Sequence, residues 1–192
     1  MLKKLTLLLA TVLTILGLEL ASNTQNAWAL DLSPEDCPVK IGAVISDDID
    51  SQECTRYTSE NNRSYYYILG WKSKVKSQVS NLVYQPIRGF QYWKTAPTVE
   101  KKDIHNWSSF KNIKLDTVTE VSCTGYTCYT FSLPNKNAEC MWFAKKSRQG
   151  DKFLPGGGIA NGILRGSLCK LGKKTPYNTE DAMIYLGALS AK

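Results

Sequence analysis

The stretch LPGGGIANGILRGSLC, residues 154–169, sets Gly156, Gly157 and Gly158 in front of an apolar run, which is the kind of backbone a phosphate-cradling loop uses. Such a loop must also open a helix whose first N–H groups face the anion, and it carries a Lys-Ser or Lys-Thr pair. Here the pair is missing, Gly162 and Gly166 weaken any helix, and Cys169 needs a partner. The stretch therefore reads as a glycine hairpin leading into a strand that ends at Cys169, and no nucleotide is expected. Arg148, Lys152 and Arg165 still place positive charge near it.

His105, in KKDIHNWSSF, is the only imidazole, so any serine triad or histidine acid–base pair must run through it. Asp103, Ser108 and Ser109 are sequence neighbours, whereas the members of a triad converge from separate loops. A capping or surface role is the simpler reading, and two-histidine ribonuclease chemistry is excluded. A glycosidase needs only two carboxylates across a cleft. Pairs such as Asp116 with Glu120 are available, but nothing in the sequence singles one out. The acidic cluster SDDIDSQE lacks the alternating oxygen ligands and turning glycine of a calcium loop.

The six cysteines, Cys37, Cys54, Cys123, Cys128, Cys140 and Cys169, carry the firmest chemistry. With one histidine and no CxxC spacing, neither a zinc site nor a redox dithiol is indicated, so no metal and no cofactor is expected. An even number of cysteines behind a secretory signal reads as a disulfide framework. Fifteen pairings are formally open, and neighbour pairing is the expectation: Cys37 with Cys54, Cys123 with Cys128, Cys140 with Cys169. Only the middle pair has a local argument, because Gly125 lies between two β-rich arms in EVSCTGYTCYTF.

That framework presupposes export. Lys3 and Lys4 precede a 14-residue run, Leu5 to Leu18, which Glu19 ends. The run is shorter than the roughly 20 apolar residues needed to span a bilayer and has the form of a signal peptide. The small-x-small pattern Ala27-Trp28-Ala29 places cleavage before Leu30. The expected organisation is a signal over 1–29 and a single secreted or periplasmic domain over 30–192, with no integral membrane segment after cleavage.

The elements that must position these residues follow from pattern. SYYYILGW favours a strand that Gly70 ends. Beyond it, Trp71, Val75, Val79, Leu82 and Val83 fall near helical spacing, while Lys72, Lys74 and Lys76 alternate as on a strand. The longer apolar set favours a helix over 73–84, stopped by Pro86. TVTEVSC, TCYTFSL and CMWFA read as an antiparallel meander, with PNKN as a turn. In YNTEDAMIYLGALSAK, Asn178 or Thr179 caps a C-terminal helix. The fold class is α+β: a disulfide-stapled antiparallel meander sheet, the C-terminal helix and one further helix.

Charge is unevenly spread. The whole chain carries +7, and residues 67–115 hold nine basic against two acidic side chains, together with Trp71, Tyr84, Phe90, Tyr92, Trp93 and Trp107. Basic residues interleaved with rings suit an anionic polymer, with Lys72, Lys74, Lys76, Arg88, Trp93 and Lys94 as the expected contacts. The competing reading puts the rings in the core and leaves the lysines as a solvated face. The expected function is an exported binding domain for an anionic polymer, an envelope component or an acidic protein. A secreted hydrolase of an envelope polymer with a carboxylate pair is the alternative, and an exported protein without assignable activity is the third. Asn62-Arg63-Ser64 and Asn106-Trp107-Ser108 are glycosylation patterns, relevant only in a eukaryotic host.

Overall fold

The structure, a computed structural model, describes residues 28–42, 49–58, 65–73, 78–86, 99–123, 125–147, 162–172 and 177–191. Eight strands form one sheet: β1 (Trp28–Leu32), β3 (Ile49–Thr58), β4 (Tyr65–Ser73), β5 (Gln78–Pro86), β6 (Thr119–Cys123), β7 (Tyr126–Leu133), β8 (Ala138–Ser147) and β9 (Gly162–Leu171). Their spatial order is β1-β3-β4-β5-β9-β8-β7-β6, and every neighbouring pair is antiparallel. Two runs of sequential hairpins, β3-β4-β5 and β6-β7-β8-β9, meet where β5 pairs with β9 at the centre. A ribbon of β2 (Val39–Ile41) and β10 (Leu189–Ala191), and a helix α1 (Thr179–Gly187), complete the fold.

Both faces of the sheet are covered. On one face Leu69, Trp71, Leu82, Tyr84, Met141, Phe143, Leu164 and Leu168 pack under Ala182, Tyr185 and Leu186 of α1. On the other, Tyr129, Phe131, Cys140, Trp142 and Cys169 lie under Ile104, Trp107 and Phe110, from consecutive 3-10 turns at Lys101–Asn106 and Ser108–Phe110. Met141, Trp142 and Phe143 are successive residues with 0% exposure, so β8 shows no alternation of buried and open positions.

The expected helix over 73–84 is not formed: residues 78–86 are strand β5, and Ser73 closes β4. Ser80, Leu82 and Tyr84 point to the helix side, while Val79 packs under the 3-10 cover on the opposite side. Apolar residues on both sides of one strand imitate the i, i+3, i+4 spacing of a helix, and pairing with β4 and β9 overrides it. Nor does Gly70 end its strand: it pairs with Asn81 of β5, and β4 continues through it to Ser73.

Elsewhere the local signals hold. Asn178 caps α1, its side chain accepting from the Asp181 N–H at 2.8 Å, with Glu180 and Asp181 in the first turn. PNKN becomes a 3-10 turn, Pro134–Lys136, that ends on Asn137 at φ 45°. Disulfides join Cys37 to Cys54, Cys123 to Cys128 and Cys140 to Cys169, leaving no free cysteine. The first ties the segment before β2 to β3, the second braces the β6–β7 hairpin, and the third joins directly opposed residues of β8 and β9. No described helix is long and apolar enough to cross a membrane.

Candidate functional site

Of the six residues expected to meet an anionic partner, Lys72 is described. It is exposed near the end of β4, opposite Ser51 and Val79. Lys74, Lys76, Arg88, Trp93 and Lys94 lie outside the described residues, as do Gly156 to Gly158, Arg148, Lys152 and Asn62. The rings that can be placed are interior: Trp71, Tyr84 and Trp107 are 4%, 1% and 5% exposed. For these three, core filling overrides the expectation of a ring-bearing surface, since each buries far more area against the sheet than a solvent-facing platform would.

Arg165 is half-buried, and burial draws its guanidinium below the usual range while the Asp103 carboxylate works the other way. His105 is neither a triad member nor a free surface residue. Its Nε2 lies 2.7 Å from the Ile113 carbonyl, which can only accept, so Nε2 carries the proton. The imidazole thereby closes the loop that follows the 3-10 turns. Asp116 and Glu120 are both exposed. Among the described residues Glu139 is the one buried carboxylate, and both its oxygens accept from the Ser132 hydroxyl, at 2.9 and 2.8 Å. No group of three or more metal-ligating side chains exists among the described residues.

Among the described residues, a groove of about 630 Å³ lies between the 3-10 cover and the tip of the β7–β8 hairpin. Ser109, Asn112, Ile113, Lys114 and Thr117 form one wall, and Ser132, Leu133, Pro134, Asn135 and Lys136 the other. Each wall is held by its own backbone bonds. On the first, the Ile113 N–H donates to Phe110, the Thr117 N–H donates to Lys114, and His105 grips Ile113. Lys101 Nζ also donates to the Val118 carbonyl at 2.9 Å, tying the cover to its end. On the second, the Asn137 N–H donates to Pro134 and the Gly172 N–H to Asn137. Beneath, Phe110 meets Phe131 edge-on at 5.0 Å, joining the cover to β7.

Ile113, Leu133 and Pro134 give the groove apolar ground, Lys114 and Lys136 give it positive charge, and no carboxylate is among the described lining residues. Sequence reading treated PNKN only as a turn and did not single out Lys114 or Lys136. Fifteen or more positions separate the two walls along the chain, and no spacing rule connects them.

Comparison with protein-family models, curated proteins and solved structures finds no match to this chain.

Proposed function

We propose that this protein is an exported, disulfide-stapled binding domain whose partner is an anionic envelope component. The observation that carries this reading is the fixed groove with two lysines and no described lining carboxylate. Preformed walls reduce the ordering cost of binding, and local excess of one charge draws an oppositely charged partner. Export is supported by pairing of all six cysteines, which fits an oxidising compartment, and by the signal-like N-terminal sequence. His105 is engaged in holding a loop and Glu139 in holding Ser132, and both arrangements favour binding over hydrolysis.

Retention on an immobilised anionic polymer at low salt tests the reading. The purified protein should be retained and released by salt. Replacing Lys114 and Lys136 with glutamine should bring elution to lower salt, as should replacing Lys72, Lys74 and Lys76. A protein that flows through at low salt would overturn the proposal.

A further inference from the structure

Successive residues of a strand point to opposite faces, so Tyr66 and Tyr67 of β4 serve different sides of the sheet. Tyr67 stacks on Tyr84, 6.4 Å between centroids, on the side that α1 covers. On the other side Tyr66 stacks on its cross-strand partner Tyr57 of β3, at 5.2 Å with 11° between the ring planes. The core under the 3-10 cover takes residues from β5, β7, β8 and β9 and, among the described residues, none from β1, β3 or β4. The Tyr57–Tyr66 pair therefore stands on sheet that neither described layer covers, and both residues are half-buried.

Tyr57 turns one ring face to Tyr66, which leaves the other toward β1, the outermost strand. The β1 residue opposite is Ala29, whose methyl group is too small to cover a phenol ring, and the expected cleavage before Leu30 would remove even that. One step along the same face Asp31 lies opposite Thr55, and the Thr55 hydroxyl donates to Asp31 Oδ1 at 2.9 Å. That bond orients an exposed carboxylate and leaves Oδ2 open to a donor. A ligand here needs an apolar face for the ring and, beside it, donors for the carboxylate. Asp31 and Glu53, which is on the same face of β3, oppose a polyanion, and the net charge of +7 opposes a cation. A neutral sugar chain meets both needs, with C–H groups across its ring face and donating hydroxyls at its rim. We infer that the β1–β3 edge binds a neutral polysaccharide, one sugar ring against Tyr57 and its hydroxyls on Asp31. This surface shares no residue with the groove of Lys114 and Lys136 and does not rest on the anion-binding reading.

The test is amide chemical-shift mapping of the full purified protein with neutral oligosaccharides of glucose, mannose and N-acetylglucosamine, a uronic acid oligosaccharide and a lysine oligopeptide. At least one neutral oligomer should shift the amides of 31–32 and 53–57, and bind more tightly there than either charged probe. Tyr57→Phe, which keeps the ring, should bind as the unaltered protein does, whereas Tyr57→Leu should weaken binding about tenfold. Asp31→Asn, at an exposed position, should weaken it severalfold, and near-ultraviolet circular dichroism checks that each variant is folded. Both Tyr57 variants should elute from the anionic polymer at the salt concentration of the unaltered protein, which separates this surface from the groove. The inference is overturned if no neutral oligomer binds, or if the shifts map away from β1 and β3. Equal affinity in Tyr57→Phe and Tyr57→Leu, with no loss in Asp31→Asn, also overturns it. Tighter binding of the lysine oligopeptide at this edge would make it a cation site, and of the uronic acid oligomer an anion site; either result ends the neutral-sugar assignment.

Discussion

Gly166→Ala adds one methyl group where the two runs of hairpins meet. Gly166 lies opposite Leu82 on β5 and Phe143 on β8. A Cβ there would stand 2.3 Å from Phe143 Cζ, 2.7 Å from Phe143 Cε2 and 2.5 Å from Leu82 Cδ2. Neither neighbour has room to yield. Both are 0% exposed, and the Phe143 ring is held edge-on by Tyr126 and by Tyr185, each with its centroid 5.8 Å away. Overpacking a well-filled core costs about 1–3 kcal/mol, and three contacts this short put the substitution near the upper end. Against that, alanine in extended backbone removes freedom from the unfolded chain, a gain of about 0.4–1 kcal/mol. The net loss is about 2 kcal/mol, which for a domain of this size lowers Tm by about 4–8 °C. Thermal and urea unfolding followed by near-ultraviolet circular dichroism measure it. Shortening the obstructing ring should reveal the cause: in a cycle with Phe143→Leu, the double variant should recover about 1 kcal/mol relative to additivity. Unchanged or raised stability in Gly166→Ala, or strict additivity in the cycle, would refute the packing argument.

Removing the disulfides one at a time should cost stability in the order Cys140–Cys169, Cys37–Cys54, Cys123–Cys128, following their separations of 29, 17 and 5 residues. The chain-entropy model gives about 3.6, 3 and 2 kcal/mol, and paired alanine variants compared by urea unfolding check the order. Tyr185 and Tyr177 are buried, and burial pushes both phenols far above their ordinary range, with the Ser80 hydrogen bond at 2.6 Å partly offsetting this for Tyr185. Because the folded values are raised, the stabilisation is complete below the unfolded value near 10 and declines above it, by about 1.4 kcal/mol per pH unit for each group. Tyrosinate absorbance from these two should therefore appear only together with loss of near-ultraviolet dichroism; earlier ionisation would contradict their burial. Removing the donor to Ile113 with His105→Ala should cost about 1 kcal/mol and weaken retention on the anionic polymer, whereas His105→Gln, which retains an N–H donor, should restore it. Equal binding by both variants would show that the imidazole does not position the groove.

The sequence by itself determined the features whose causes are local. The Asn178 cap acts on an N–H three residues away, and the turn at 134–137 follows from proline and asparagine chemistry. The strands over 119–147 show in their β-branched and aromatic content, and the Cys123–Cys128 bridge in the Gly125 turn between its arms, whereas the other two pairings had no local argument. Tertiary structure alone decided the rest. Whether 78–86 is helix or strand depends on what covers each side. With α1 over one face and the 3-10 turns over the other, the alternation that identifies a strand is erased. The same distant packing buries Trp71, Tyr84 and Trp107, and brings Lys114 to face Lys136 across a groove. Periodicity records only that a residue is apolar, and the partner that buries it or completes a site comes from chain far away in sequence.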